Sequence, residues 1–207
     1  MFERWFVPFI SILFIVDPLA VIPSYLAMTE TDPPDRRRNI ALKAAIATVA
    51  ILGLFASAGG LIFKVFGLTL PAFRIAGGVI LGLSAIEMIR AERRSRETRE
   101  EVAEGVEKTD VALTPLAIPM LAGPGAISTV VVLMDHAPKW SQAIPIYSAI
   151  LATGVATFLV LRASMLFHRL LGKTGINVLS RLMGLVLATL AVQFILDGLR
   201  EAGILKP

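Results

Sequence analysis

Asp17 is the residue of this chain whose surroundings make its chemistry most unusual. It opens the stretch Asp17-Pro18-Leu19-Ala20-Val21-Ile22-Pro23, in the middle of an apolar run from Trp5 to Met28 that is long enough to cross a bilayer. A carboxylate at that depth is costly unless it is paired, hydrated or turned into a cavity, so it marks a functional position by default. Asp followed by Pro also suits the cap and first position of a helix: the carboxylate accepts from free backbone N–H groups, and Pro18 needs no donor there. Two roles are therefore open to Asp17. It caps a half-helix, or it binds a solute ammonium or takes up a coupling proton, and the two can coexist.

A second stretch, Pro119-Met120-Leu121-Ala122-Gly123-Pro124-Gly125, again has two prolines with four residues between them and again lies in an apolar run, from Val111 to Met134. Two glycines around a proline leave little reason for a continuous helix. Unwound backbone at membrane depth is tolerated only where it is buried in protein or lines a cavity. A half-helix starting near Gly125 would aim its free N–H groups and positive dipole end at the break, a seat for a carboxylate, with Ser128 and Thr129 adding hydroxyl donors. The plain alternative is a kinked packing helix. The candidate solute-binding set is thus Asp17, Pro18, Pro23 and Ser24 with Ala122, Gly123, Pro124, Gly125, Ser128 and Thr129.

Catalytic and metal chemistry find no comparable constellation. An intramembrane aspartyl hydrolase needs two carboxylates at one depth, and the chain offers one; no Ser and His share a depth either. His136 and His168 fall in or beside loops with no metal-ligand spacing, and there is no cysteine to act as nucleophile, thiolate ligand or disulfide partner. The expected answer is no enzyme, no metal and no cofactor beyond a coupling H⁺ or Na⁺.

The elements that position these residues follow from composition. At 207 residues, 56% hydrophobic and mean hydropathy +0.75, the chain is too apolar for a soluble domain of its size. Its net charge of +4 is an ordinary topology signal in a membrane protein and gives no support to a nucleic-acid partner. The expected partners are the bilayer and a small-molecule solute, and nothing in the sequence indicates a homo-oligomer. Six apolar segments are predicted, at 5–28, 40–63, 69–89, 111–134, 143–161 and 179–199. The first is longer than a signal-peptide core and lacks a small-residue cleavage site, so it is expected to remain as a span.

Loop charge predicts the orientation. Connections one, three and five with their flanking helix ends hold 14 of the 20 Lys and Arg, which places them in the cytoplasm of a bacterial or archaeal inner membrane and both termini outside. The chain also repeats itself: Pro18 and Pro23 match Pro119 and Pro124 at an offset of 101, and Arg74-Ile75-Ala76-Gly77 matches Arg181-Leu182-Met183-Gly184 at 107. Six extra residues in the second half would reconcile the two. The predicted fold is all-α, six transmembrane helices as two inverted three-helix repeats with spans 1 and 4 broken at the midplane. Residues 1–90 form the first repeat, 91–110 a charged cytoplasmic linker with five basic and seven acidic residues, and 111–207 the second repeat. In secondary transporters this design places the binding site between the repeats.

Asp17-Pro18 through Pro23, Pro115-Leu116-Ala117-Ile118-Pro119 continuing to Ala122-Gly123-Pro124-Gly125-Ala126-Ile127, Arg74-Ile75-Ala76-Gly77-Gly78, and Arg181-Leu182-Met183-Gly184 with Ala191-Val192-Gln193-Phe194-Ile195 resemble the MarC family of bacterial and archaeal inner-membrane proteins. The resemblance spans nearly the whole chain. It implies a six-span integral membrane protein, some of whose relatives carry small neutral amino acids such as glycine and alanine. The chain departs from the family pattern after Asp-Pro-x, where many relatives have Gly and Asn and this sequence has Ala20 and Val21. Together these features predict a secondary transporter of a small solute, most plausibly a small neutral amino acid. A non-transporting membrane scaffold or accessory subunit is the alternative, and it leaves the paired proline motifs unexplained.

Overall fold

In the computed structural model, residues 3–90, 111–137 and 139–205 are described. Every regular element among them is helical: α1 Glu3–Val16, α2 Pro18–Met28, α3 Pro34–Phe66, α4 Leu70–Arg90, α5 Ala112–Leu121, α6 Pro124–Asp135, α7 Trp140–Arg162 and α8 Ser164–Glu201. The expected charged linker, 91–110, lies outside the described residues.

Proline sets most of the boundaries. Pro18, Pro34 and Pro124 each open a helix, where the missing N–H costs nothing and the fixed φ already suits the first turn. The residue before a proline is pushed out of the α region, and Pro33 and Gly123 are accordingly extended, at φ −66°, ψ 157° and φ −73°, ψ 170°. The same rule loosens α5 from within. Its two non-helical residues, Thr114 and Ile118, immediately precede Pro115 and Pro119, and its end is so wide that the Ala122 N–H bonds to the Ala117 carbonyl, five residues back, at 2.8 Å. Pro23 has no such effect: α2 runs on through it to Met28.

Five stretches are long and apolar enough to cross a membrane: Glu3–Ile22, Pro34–Phe66, Leu70–Arg90, Trp140–Arg162 and Arg181–Glu201. The predicted fourth span, 111–134, is divided into α5 and α6, and neither piece reaches that length. Between the predicted fifth and sixth spans the chain is helical rather than a loop. There α8 begins at Ser164 and bends at Gly172, whose φ of 61° lies in the left-handed region that favours glycine. Large apolar side chains such as Leu54, Leu61, Leu151 and Leu159 are exposed along the long helices. Apolar surface on that scale is matched to lipid, not to water.

Two apolar clusters hold the helices together. The larger joins α1, α2, α3, α5, α6 and α7 through Ile12, Val16, Tyr25, Leu52, Leu116, Val130 and Ile150. The smaller joins α2, α4 and α8 through Ala20, Leu81, Ala85, Met88, Leu187 and Ala191. Small residues, Gly78 of α4 and Gly184 of α8 among them, bring α4 and α8 into close contact. A Cβ on Gly78 would lie 2.7 Å from Ile195 Cγ1 and 2.8 Å from the Ala191 carbonyl oxygen; one on Gly184 would lie 2.9 Å from Ile89 Cγ1 and 3.1 Å from the Ala85 carbonyl oxygen.

These two contacts are the same contact made twice, since Gly78 and Gly184, Ala85 and Ala191, and Ile89 and Ile195 are all 106 residues apart. The pairing runs antiparallel, low numbers on α4 against high numbers on α8. The starts of α2 and α6, at Pro18 and Pro124, and of α3 and α7, at Pro34 and Trp140, have the same spacing. This spacing differs from the offsets of 101 and 107 read from the sequence, and by helix start it sets Pro18 beside Pro124.

Candidate functional site

At the first break, between α1 and α2, Asp17 is 4% exposed and sits at φ 42°, ψ 68°. It is the one non-glycine residue with positive φ among the described residues. Left-handed backbone is costly for most L-residues and least so for Asp and Asn, whose short polar side chains bond locally. That local bond is present: the Ala20 N–H donates to Asp17 Oδ1 at 3.3 Å and to the Asp17 carbonyl at 3.2 Å. Behind it, the Asp17 N–H closes the last turn of α1 on the Leu13 carbonyl at 3.0 Å. Asp17 is thus a helix cap, Pro18 is the first residue of the new helix, and Ser24 is buried further along it. Pro23 lies in the same helix.

The second break has the opposite character. Gly123 caps α6 with no side chain, and Pro124 has no N–H, so the first backbone donors of α6 are those of Gly125 and Ala126. Neither has a partner within its own helix, since the first bond of the ladder is Ile127 N–H to the Gly123 carbonyl at 3.0 Å. Gly125 and Ala126 are both buried. Ala122 is buried beside them, and Gly123 is half-buried. The hydroxyls of the first turn are engaged within the protein, Ser128 Oγ donating to the Phe73 carbonyl of α4 at 3.4 Å and Thr129 Oγ1 to the Gly125 carbonyl at 2.9 Å. Gly125 also answers a packing need, because a Cβ there would lie 2.5 Å from Leu81 Cγ and Cδ2 on α4.

The elements on either side of the two breaks pack on one another. α1 packs on α6 and α2 on α5. Val16 and Val21, on either side of Asp17, belong to one apolar cluster with Leu121, Ala122 and Ala126, which flank the second interruption. A capped carboxylate and an uncapped helix N-terminus therefore share one core.

Three hydroxyls that the sequence reading passed over are buried on α3 and α7. Thr48 of α3 donates to the Ala44 carbonyl at 2.8 Å, while Thr153 and Thr157 of α7 are fully buried and neither hydroxyl has a hydrogen-bond partner among the described residues. The available signal was their spacing of four, which puts both on one face of a helix. Two of the charged pairs lie at the helix ends. Arg74 meets Glu201, and Asp197 accepts from Gln193 Nε2 at 2.8 Å and from Arg200 at 3.4 Å. Arg181, the sequence counterpart proposed for Arg74, is exposed. Among the described residues no group of three or more His, Cys, Asp or Glu could hold a metal ion.

Such an all-helical chain, with five stretches among the described residues long and apolar enough to span a membrane, is an integral membrane protein. Residues 2–203 match the family described as "MarC family integral membrane protein". The chain is 37% identical to a UPF0056 membrane protein of Methanocaldococcus jannaschii over 97% of its own length and 98% of the relative's. It is 38% identical to the UPF0056 membrane protein YvbG of Bacillus subtilis, covering 93% and 92%, and 31% identical to YhcE of Escherichia coli, covering 96% and 93%. The chain belongs to the MarC family, which has members in bacteria and archaea. No solved structure matches it.

Proposed function

We propose that the chain is a secondary transporter that holds a small solute between its two broken spans, a small neutral amino acid of the glycine or alanine kind suiting it best. The observation that carries this reading is the meeting of two interrupted helices whose polar ends are opposite in sign. A zwitterion needs that pairing: its carboxylate is received by the Gly125 and Ala126 N–H groups at the positive end of α6, and its ammonium by Asp17. Apolar walls from Val16, Val21 and Leu121 favour a short aliphatic side chain over a charged one.

The constant spacing of 106 residues supports an inverted repeat. Two equivalent helices that pack antiparallel through equivalent contacts, as α4 and α8 do, are related by a two-fold axis lying across them, which in a membrane lies in its plane. The other packings come in matching pairs under the same exchange: α1 on α7 with α3 on α5, α2 on α7 with α3 on α6, and α2 on α8 with α4 on α6. In this arrangement α1 with α2, and α5 with α6, each act as one broken span. The basic connection after α2 faces the cytoplasm and both termini face outward. That connection is tightly tied, Arg37 donating to the Asp32 and Glu30 carbonyls at 2.9 and 2.8 Å and Tyr25 Oη to the Arg37 carbonyl at 2.8 Å. A proton or Na⁺ gradient supplies the work.

Uptake of a panel of labelled small amino acids into proteoliposomes tests the proposal. Accumulation of glycine or alanine under an imposed H⁺ or Na⁺ gradient is the expected result. Folded, inserted protein that moves none of them under either gradient would contradict it.

A further inference from the structure

The hydroxyls of Thr153 and Thr157 are the least accounted-for polar groups in the interior. Thr29, Thr48, Ser57, Thr129 and Thr189 all donate to the carbonyl four residues back, the usual way for a helical hydroxyl to be satisfied in an apolar setting. Thr153 and Thr157 do not, although both are fully buried. A buried hydroxyl without a partner is uncommon, and a bound ion or water is one way to satisfy it.

Their position says where that ligand lies. The buried face of α7 is bounded on one side by Gly154, where a Cβ would lie 2.2 Å from Val49 Cγ2 and 3.7 Å from the Ala45 carbonyl oxygen of α3. α1 and α2 are the other main neighbours of α7, and Thr153 and Thr157 fall at the middle of the buried face, between Gly154 and Ala149. Arg4 near the start of α1 donates to the Ser141 carbonyl near the start of α7, so the two helices set out side by side. Asp17 follows Arg4 by 13 residues and Thr153 follows Ser141 by 12, which at the common rise per residue brings them to one level.

The first break supplies more oxygen at that level. The Phe14 carbonyl would bond in a continuous helix to residue 18, which is Pro18 and has no N–H; the Val16 carbonyl would bond to the Ala20 N–H, which turns to Asp17 instead. The C-terminus of α1 thus ends in carbonyls without intrahelical partners, at the negative end of its dipole.

We propose that the first break, closed in by Thr153 and Thr157, is the seat of a small dehydrated monovalent cation of the Na⁺ class, held by two hydroxyls, the α1 carbonyls and Asp17. Such oxygen sets at broken helices are what Na⁺ takes in place of its water. The zwitterionic solute brings no net charge, so the one carboxylate shared between its ammonium and the cation balances a single positive charge, whereas a divalent ion draws on more. The use of this cation for coupling rests on the transport proposed above; its binding does not.

Thermal unfolding of the purified protein in detergent, without amino acid and with NaCl replacing choline chloride at constant ionic strength, tests the site. The wild type is expected to show a saturable rise in Tm with Na⁺ and little with K⁺. Thr153→Val with Thr157→Val should raise the half-saturating Na⁺ concentration by about tenfold or more, and Thr153→Ser with Thr157→Ser should retain the response. A wild type equally stable in Na⁺ and choline, or a valine double variant that responds as the wild type does, overturns the site. If the valine double variant does not fold, the wild-type comparison of Na⁺ with choline decides alone. A protein that ignores Na⁺ but still moves amino acids loses this site and keeps the transport; one that binds Na⁺ and moves no amino acid does the reverse.

Discussion

Asp17 and Gly123, 106 residues apart, are each the cap of a helix that opens on a proline, α2 and α6. The first break is sharp. One residue in left-handed backbone separates α1 from α2, and its own carboxylate satisfies the new helix. The second is diffuse: it begins with the widened α5, passes through the extended residues Thr114 and Ile118, and ends at a cap with no side chain. The two caps thus have opposite electrostatics. A carboxylate with α1 carbonyls favours positive charge at one break, and N–H groups without intrahelical partners favour negative charge at the other. An asymmetric solute needs this difference; a symmetric pair of breaks would hold both ends of it equally badly.

The largest effect in reach of a single substitution is at Gly125. Gly125→Val should destabilise the protein by about 1–3 kcal/mol or more, because its side chain would occupy the space of Leu81. Adding Leu81→Ala should recover part of that loss in a thermal melt. Failure of the second change to help would mean that the glycine is needed at the break itself and not for packing on α4.

A smaller but more informative effect is expected at Asp17. Asn keeps a capping oxygen and tolerates left-handed backbone, so Asp17→Asn should leave stability within about 1 kcal/mol of wild type while lowering uptake at least tenfold. Asp17→Ala should lower uptake likewise and in addition lose about 0.5–2 kcal/mol with the cap. If Asp17→Asn transports normally, the residue builds the break and takes no part in binding.

Much of this arrangement was legible in the sequence, for reasons that individual residues make plain. Asp17-Pro18 read as a cap and first position because that pair has few other stable uses in a helix, and the structure has that cap. Ala122-Gly123-Pro124-Gly125 read as unwound backbone for similar reasons. The internal register was not legible. Matching prolines by their spacing paired Pro18 with Pro119, but of the four prolines in the two motifs Pro18 and Pro124 open a helix, while Pro23 sits within α2 and Pro119 within α5. The role of Ser128 was hidden as well, since nothing local shows that Gly77 would bring the Phe73 carbonyl of α4 within its reach. Thr153 and Thr157 went unnoticed because threonine in an apolar helix ordinarily satisfies itself, and only atomic positions show that these two do not.

Exchanging the character of one break for that of the other tests the claim that they are opposite seats for one solute. Gly123→Asp would give α6 the carboxylate cap that α2 already has, which is favourable for the helix and fatal to anion binding at its N-terminus. The decisive measurement is alanine uptake by proteoliposomes of this variant beside wild type, with a thermal melt of each. The account predicts a protein at least as stable as wild type whose uptake falls more than tenfold. A Gly123→Asp protein that folds and carries alanine at the wild-type rate would contradict it.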